Sequence, residues 1–310
     1  MTKKSMTIKA PGFRLRSSYD VAFSPTGDLL ATVGKQKQVT LWDMRQRRQA
    51  VVNKLLTHPA SVAFSPNGAY YAVKNTGGEI VVCTVAGGEL VSRYKPNGQG
   101  EGCRILFSAD SEYLIDGSWK GRIDVRRVTN LQPTLSQVFE GCMVADASAS
   151  GGRTEWAFVV SKIGNPHDPN HDHVLFRPWP LDAKGARQRM DHLPAICCAR
   201  LSPNGKRLAV IQKWTKLSVF DLETNTITAT TKLESAARAA LTWSPDGRLL
   251  GTVQEGRWTL HASDDLREVG SLTGPYPCAL DFSPDGSLIA LGSWESGVVL
   301  SLAQVLLVAA

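Results

Sequence analysis

The sequence contains no apolar run that approaches the roughly 20 residues of a transmembrane helix. The lysines near the N-terminus are not followed by an apolar segment, which a secretory signal would need. The sequence therefore predicts neither a membrane span nor a secretory signal, and we expect a cytoplasmic protein with no membrane partner.

Cysteine is scarce, and the six cysteines form no Cys-x-x-Cys pair. This spacing argues against a zinc or dithiol motif, and free thiols in a reducing compartment are expected for a domain of this size. Cys197 and Cys198 are adjacent, and adjacent side chains of a strand point to opposite sides. We therefore expect buried packing at this pair rather than a shared ligand.

Catalytic signatures are also missing: there is no Gly-rich phosphate loop, no Gly-x-Ser-x-Gly and no His-Glu-x-x-His. No segment shows a convincing amphipathic helical pattern. The net charge of +7 permits an acidic partner without demonstrating one. The sequence therefore predicts no enzyme and no cofactor.

What the sequence does contain is a repeat. The segment that begins at Asp20 returns in six further copies, and the fourth of the seven copies is degenerate. Successive copies are 41, 43, 40, 54, 42 and 39 residues apart, close to the ~40–45 residues of a four-stranded propeller blade. The copies are anchored on the serine of a recurring turn, at Ser24, Ser65, Ser108, Ser148, Ser202, Ser244 and Ser283.

Each copy has the local chemistry of a strand meander. An alternating apolar run leads into a Ser-Pro-x-Gly turn, and further runs rich in β-branched residues follow. Proline and glycine supply the backbone angles of a tight reversal, so the anchor serines are predicted to be structural. A fourth strand follows each third run, for example at residues 49–56.

The repeated Phe-Ser-Pro-x-Gly turn at this period resembles the WD-repeat family over nearly the whole chain. The resemblance implies an all-β fold, a single seven-bladed β-propeller of four-stranded antiparallel blades spanning residues 1–310. It also implies a non-enzymatic interaction scaffold.

The sequence departs from the family pattern in several places. Only Trp42-Asp43 is a true Trp-Asp pair, and the Gly-His dipeptide is absent. The family's hydrogen-bonded tetrad is therefore predicted to be missing, and apolar packing between blades is expected to hold the ring. The usual loop aspartate is replaced by Gln36, Gly77, Lys120, Trp214, Glu255 and Glu295.

Two segments lie outside the regular repeat. Residues 7–15 are predicted to supply the outermost strand of the last blade, with residues 303–310 as the competing candidate. The long fourth step predicts an insertion at about residues 162–174 in blade four, which contains His167, Asp168, His171, Asp172 and His173. These are metal-ligand types, but nothing in the sequence orients them, so we expect a solvated loop and no metal site.

Four charged residues fall on predicted inner strands: Arg104, Asp146, Arg200 and Asp281. Charges at such positions are rarely buried without a partner. Ion pairs between blades and a ligand-binding channel are both open interpretations.

In propellers of this family, the loops before the inner strand and those between the second and third strands share one face, called the top face. A basic rim with tryptophan side chains on this face suits a protein or an acidic peptide better than nucleic acid. We expect the propeller to be a monomer within a complex. The predicted partner-binding residues are Tyr19, Lys35, His58, Glu101, Trp119, Lys120, Met143, Lys213, Trp214, Tyr276 and Trp294.

Two other functions stay open at this point. A propeller enzyme, such as a lactonase-like or metal-dependent hydrolase, would use the channel charges or the histidine-rich loop. A dedicated inhibitor or immunity-type binder of one protein target would show a large patch of a single charge sign on one face.

Overall fold

The computed structural model describes residues 12–97, 102–163, 172–181, 188–190, 193, 195–213, 215–235 and 240–307. Within these ranges the chain forms strands in sets of four, and each set is one antiparallel sheet. The seven sheets are the blades of a β-propeller, which confirms the predicted fold. No helix in the described part of the chain is long and apolar enough to span a membrane.

The first half of the chain forms the closing strand and blades 1 to 3. The closing strand is β1 (Phe13–Arg14). Blade 1 contains β2 (Asp20–Phe23), β3 (Leu29–Val33), β4 (Val39–Asp43) and β5 (Arg48–Asn53). Blade 2 contains β6 (Pro59–Phe64), β7 (Tyr70–Asn75), β8 (Ile80–Thr84) and β9 (Leu90–Tyr94). Blade 3 contains β10 (Leu106–Phe107), β11 (Tyr113–Gly117), β12 (Arg122–Arg127) and β13 (Pro133–Val138).

The second half forms blades 4 to 7 and one helix. Blade 4 contains β14 (Cys142–Ala149), β15 (Glu155–Lys162), β16 (Asp172–Pro178) and β17 (Gln188–Met190). Blade 5 contains β18 (Ile196–Leu201), β19 (Arg207–Gln212), β20 (Lys216–Asp221) and β21 (Thr226–Lys232). Blade 6 contains β22 (Leu241–Trp243), β23 (Leu249–Gln254), β24 (Arg257–Ala262) and β25 (Glu268–Thr273). Blade 7 contains β26 (Pro277–Phe282), β27 (Leu288–Ser293) and β28 (Val298–Ser301), and its fourth strand is β1. Helix α1 (Leu302–Leu307) follows β28.

The serine-anchored turns join the first and second strands of the blades. In blade 1 the carbonyl of Ser24 accepts the N–H of Gly27 at 2.9 Å, and Ser24 Oγ accepts the N–H of Leu29 at 3.0 Å. Gly27 has φ of 75°, which glycine adopts without strain. The anchors are buried, as the predicted structural role requires. The same pair of bonds recurs at Ser65, Ser108, Ser202, Ser244 and Ser283.

Blade 4 departs from the predicted register. Its anchor is Ser150, whose carbonyl accepts the N–H of Arg153 at 2.9 Å and whose hydroxyl accepts the N–H of Glu155 at 3.3 Å. The prediction of Ser148 as the anchor was wrong by two residues. The inner strand β14 spans eight residues, and its register shift between Val144 and Asp146 lies at the same distance from the anchor as the shifts in β6, β18 and β26.

Apolar packing between neighbouring blades forms the core. The buried side chains group into seven clusters, and each cluster combines residues of two adjacent blades. Val159 of blade 4 and Val210 of blade 5, for example, belong to one cluster and are at most 1% exposed. Cys198 is fully buried between blades 5 and 6, and all six cysteines are free thiols. The expected apolar blade-to-blade contact is therefore present around the ring.

Polar contacts also bridge the blades, in addition to the apolar packing that the sequence predicted. Lys74 lies in β7 and is 2% exposed. Its ammonium donates to Asp116 Oδ1 of blade 3 at 2.6 Å and to the carbonyls of Cys103 and Gly117 at 3.3 and 3.0 Å. Burial raises the pKa of Asp116, and Lys74 offsets part of that effect. This buried ion pair joins blade 2 to blade 3.

The ring is closed by residues that precede blade 1. Phe13 and Arg14 of β1 pair antiparallel with Val299 and Val298 of β28, so β1 is the outermost strand of blade 7. Leu15, 4% exposed, packs in the cluster shared by blades 7 and 1. Of the predicted closing segment, residues 7–11 lie outside the described residues.

The competing segment near the C-terminus is helical where it is described. Helix α1 packs against β25 and β28, and Val305 is buried among residues of blades 6 and 7. Residues 303–307 therefore do not form the outermost strand of blade 7.

Removing the closing strand tests its contribution to stability. A variant that lacks residues 1–16 is expected to melt several degrees below a variant that lacks residues 1–11, because only the first loses the pairing with β28 and the burial of Leu15. Circular dichroism melts of the two truncations isolate residues 12–16. Equal melting temperatures would contradict the closure.

The Lys74–Asp116 pair gives a second test. Lys74→Met is expected to lower the free energy of unfolding by about 3 kcal/mol, because it leaves the Asp116 carboxylate buried without its cation. Urea unfolding followed by tryptophan fluorescence measures the loss. Exposed Lys206→Met is the control, and the double variant with Asp116→Leu should recover part of the loss. A loss no larger than that of the control would rule out the bridge as a stabilising contact.

Candidate interaction face and central channel

Backbone hydrogen bonds join the two kinds of loop on the top face. In four blades, the first residue after the second strand donates its N–H to a residue just before the inner strand. Each acceptor residue has a left-handed backbone, with φ between 49° and 65°. The pairs are Thr76 with His58 at 3.2 Å, Ile163 with Gly141 at 2.7 Å, Lys213 with Ala195 at 2.8 Å, and Trp294 with Tyr276 at 3.0 Å.

An aromatic group lies where blade 7 meets blade 1. The rings of Tyr19 and Trp294 are 4.5 Å apart between centroids, and Lys35 Nζ lies 5.5 Å from the Trp294 ring. Tyr276, bonded to Trp294 through the backbone, is 66% exposed, and Trp294 is 36% exposed. We call Tyr19, Lys35, Tyr276 and Trp294 the seam cluster. It combines exposed aromatic surface with a cation held near one ring.

Ring closure positions the seam cluster. Ser18 donates its N–H to the carbonyl of Ser293 at 2.7 Å, which sets Tyr19 beside Trp294. Ser293 Oγ donates to the carbonyl of Pro275 at 2.6 Å and so ties the loop of Trp294 to the segment of Tyr276. The cluster is therefore held by hydrogen bonds on both sides of the seam rather than by a free loop.

A second exposed tryptophan lies on blade 3. Trp119 and Lys120 form the tip of the hairpin between β11 and β12, which is closed by the Gly121 N–H to Ser118 carbonyl bond of 3.1 Å. Trp119 is 45% exposed, and Lys120 is exposed. Gly121 has φ of 72°, and a Cβ there would lie 2.3 Å from the carbonyl of Phe139, so the hairpin requires glycine. Trp119 does not fold down into the blade.

The other predicted partner-binding residues are distributed around the rim. His58 and Lys213 are exposed at the loops already described. Met143 is half-buried on β14. Because the anchor of blade 4 is Ser150, it is Ala145 rather than Met143 that lies five residues before the anchor and lines the cavity at the channel mouth. Glu101 and Trp214 lie outside the described residues.

Carboxylates on the inner strands reach the next blade along the chain. Asp20 Oδ2 accepts the N–H of Val62 at 3.0 Å, and Asp146 Oδ2 accepts the N–H of Ala199 at 3.1 Å. Both aspartates stand four residues before their anchor serine. The two bonds therefore repeat one geometry at two blade junctions.

A second set of contacts uses the position two residues before the anchor. Asp281 Oδ2 accepts the N–H of Phe23 at 2.9 Å, and Ser148 Oγ accepts the N–H of Leu201 at 2.9 Å. Carboxylate and hydroxyl oxygens thus satisfy backbone N–H groups of the neighbouring inner strand.

The predicted inner-strand charges surround the channel. Arg200 forms a buried ion pair with Asp146, so the ion-pair interpretation holds for these two residues. A cavity of about 240 Å³ at the top mouth of the channel is lined by Asp20, Lys74 and Arg104, among others. The channel is therefore polar and carries both signs of charge.

Burial shifts the acids and thiols of the channel toward their neutral forms. It raises the pKa of Asp281 to about 7, although the Phe23 N–H and Arg104 oppose the shift. It also raises the pKa of Asp20, against Arg104 and the Val62 N–H. The pKa of the Cys103 thiol rises to about 12 because of burial, so this thiol is protonated at neutral pH and is a poor nucleophile.

The histidine-rich segment lies partly outside the described residues, including His167, Asp168 and His171. Where it is described, Asp172 and His173 belong to β16 and are buried. Asp172 Oδ2 accepts the N–H of Ile196 at 2.6 Å, another contact between blades 4 and 5. Within the described ranges no group of His, Cys, Asp and Glu side chains could hold a metal ion.

The raised pKa of Asp281 predicts a pH-dependent effect of its removal. Between its ordinary pKa of 3.8 and about 7, the folded protein holds a proton that the unfolded chain releases, so stability falls as pH rises. Asp281→Asn keeps an acceptor for Phe23 and should raise the melting temperature by several degrees more at about pH 8 than at about pH 5.

Scanning calorimetry at the two pH values measures this difference. Asp264→Asn is the control, since that side chain is 93% exposed. Charges facing Asp281 are Asp20 and Arg104, which both variants retain. An equal change in melting temperature at both pH values would contradict the assignment.

The comparisons with known proteins agree with this architecture. A family model described as WD domain, G-beta repeat matches residues 14–43, which correspond to β1 and the first three strands of blade 1. The 77 kDa echinoderm microtubule-associated protein of Strongylocentrotus purpuratus is 30% identical over 121 residues, which is 39% of this chain and 17% of the relative. Its counterpart in Lytechinus variegatus is 28% identical over 120 residues, which is 39% of this chain and 18% of the relative.

The chain thus spans less than a fifth of the length of these relatives. The match to one repeat agrees with the serine-anchored turns that recur from blade to blade. The chain is thus a seven-bladed β-propeller that is similar to WD-repeat proteins in its blade architecture, in one matched repeat and in the aligned segment of these relatives.

Proposed function

We propose that this protein is a non-enzymatic scaffold that binds a partner protein on its top face, with the seam cluster as the main anchor. The single observation that carries the proposal is the contact between the tilted rings of Tyr19 and Trp294 beside Lys35, with Trp294 36% exposed. Tryptophan and tyrosine are enriched among residues that dominate binding energy. Rings already held in place lose little side-chain entropy when a partner binds.

The charges near the rim favour an acidic protein segment. Lys35, Lys120 and Lys213 are exposed on top-face loops. Glu255 and Glu295 are exposed on the same face and reduce the positive field. A continuous basic track, which nucleic acid binding would need, is therefore not expected, and nucleic acid ranks below protein.

The relatives suggest the first partner to test. Both matched proteins are named as microtubule-associated. We therefore propose microtubules as the first candidate partner, with the propeller as the binding element. The scaffold proposal does not depend on this choice, because the short match leaves most of each relative unaligned.

The enzyme alternative rests on the channel, where Asp20 and Asp281 have raised pKa values. Perturbed groups in a cleft can indicate a catalytic site, but structural contacts also perturb them. Both aspartates accept backbone N–H groups from the next blade, which accounts for their positions. The scaffold is therefore favoured over a hydrolase.

The inhibitor alternative would require a large patch of one charge sign. The mixed lysines and glutamates of the rim do not favour a partner selected by charge alone. A general interaction scaffold fits this distribution better than a dedicated immunity-type binder.

Variants of the exposed rings test the proposal. Tyr276→Asn removes one ring from the seam cluster while asparagine tolerates the φ of 49°. Trp294→Ala removes the ring contact between Tyr19 and Trp294, and Trp119→Ala tests the exposed tryptophan of blade 3 separately. The Tyr276 and Trp294 variants are each expected to weaken partner binding by about tenfold or more, in line with hot-spot residues.

Co-sedimentation with microtubules and affinity capture with quantitative mass spectrometry measure the binding. Ile227→Ala, on β21 and 51% exposed, is the matched control for loss of exposed apolar surface. Circular dichroism melts confirm that each variant is folded. Unchanged capture by folded Trp294→Ala and Tyr276→Asn variants would overturn the role of the seam cluster.

A further inference from the structure

The channel has a second opening on the face opposite the seam cluster, at the serine-anchored turns. A cavity of about 240 Å³ lies there against blades 3, 4, 5 and 6. Among its described lining residues there is no aspartate or glutamate. Its polar side chains are Arg104, Arg153, Arg200, Ser148, Ser150 and Thr242.

Arg153 lines this cavity and has no carboxylate partner among the described residues. It stands in the turn of blade 4 with φ of 53°, and its Nη1 donates to the carbonyl of Phe107 in blade 3 at 2.6 Å. Among the ion pairs of the described residues, none includes Arg153. Burial alone lowers the pKa of Arg153 to about 10, so the side chain is still charged at neutral pH.

Arg200 is the third arginine that lines this cavity. The residue is 7% exposed, and its Nη1 is paired with Asp146. This ion pair holds the Arg200 guanidinium at the wall of the cavity.

Two acids of the channel, Asp20 and Asp281, lie on its other side, whereas Asp146 of blade 4 is paired with Arg200. An adjoining cavity of about 340 Å³ shares Arg104 and Arg153 and is also lined by Asp20 and Asp281, from blades 1 and 7. The lower mouth of the channel is therefore basic on the side of blades 3 to 5 and acidic on the side of blades 7 and 1. A small ligand with two or more oxygens could contact the arginines without facing the carboxylates directly.

We infer that the lower mouth of the channel binds a small oxyanion, a phosphate or a carboxylate, between Arg104, Arg153 and Arg200. Guanidinium groups bind both anions through paired N–H donors, which makes arginine the usual residue for such sites. The cavity volume suits a small anion or a single acidic side chain better than a drug-sized ligand. This inference does not depend on the top-face proposal.

Isothermal titration calorimetry with inorganic phosphate tests the site. Phosphate is expected to bind the wild-type protein in a saturable manner, with sodium chloride at equal ionic strength as the reference. Malonate in a parallel titration distinguishes a preference for carboxylate from one for phosphate. The affinity of Arg153→Gln is expected to be about tenfold weaker or more, and Arg153→Lys should retain part of the binding.

Two controls and one alternative variant make the outcome decisive. Arg248→Gln removes an arginine whose side chain is 86% exposed and should bind as the wild type does. Trp294→Ala alters the seam cluster and should also leave anion binding unchanged. If Arg153→Gln fails to fold, Arg104→Gln supplies a second removal of charge from the same cavity. Binding that equals the chloride effect, or that is identical in wild type, Arg153→Gln and Arg104→Gln, would overturn the inference.

Discussion

The contact on which this ring depends is the hydrogen bond from the backbone N–H of one inner strand to a side-chain oxygen on the inner strand before it. In a propeller the innermost strand of each blade is an edge strand, with backbone groups that no strand of its own sheet can satisfy. Asp20 and Asp146 accept such N–H groups from the next blade through the same register position. Asp281 and Ser148 do so two residues further along. These bonds fix the distance between blades at the channel, where little apolar surface is available.

Farther from the channel, apolar clusters and ring closure complete the architecture. Each cluster belongs to two blades, so a blade cannot shift without exposing surface on both sides. The cluster between blades 7 and 1 includes Leu15, which the closing strand carries. Closure therefore also creates the seam cluster, because the residues that follow β1 bring Tyr19 against Trp294.

The repeat period and turn chemistry predicted blades of four strands and six of the seven anchor serines, and the resemblance to the WD-repeat family implied the seven-bladed ring and the loops of the top face. The local pattern could not fix the register of blade 4, because serines occur at both position 148 and position 150 and only the turn hydrogen bonds identify Ser150 as the anchor. Nor did it predict the Lys74–Asp116 pair, since the two residues lie in different blades and 42 residues apart in sequence. Long-range pairing of this kind leaves no periodic signal. The aromatic residues of the seam cluster were predicted one by one, but their mutual contact depends on closure.

The residue four positions before the anchor serine has different roles in different blades. Four residues before the anchor, blades 1 and 4 carry aspartates that accept backbone N–H groups, whereas blade 3 carries Arg104, which lines the cavities of the channel. A side chain that accepts N–H groups from the next blade stabilises the ring, but a guanidinium at the same place cannot accept a hydrogen bond. Blade 3 is joined to blade 4 instead by the Val144 N–H, which donates to the carbonyl of Ser118 at 2.9 Å, and by Arg153 Nη1, which donates to the carbonyl of Phe107 at 2.6 Å. These contacts hold the junction without a side-chain acceptor at position 104, so the basic wall on this side of the channel is compatible with a closed ring.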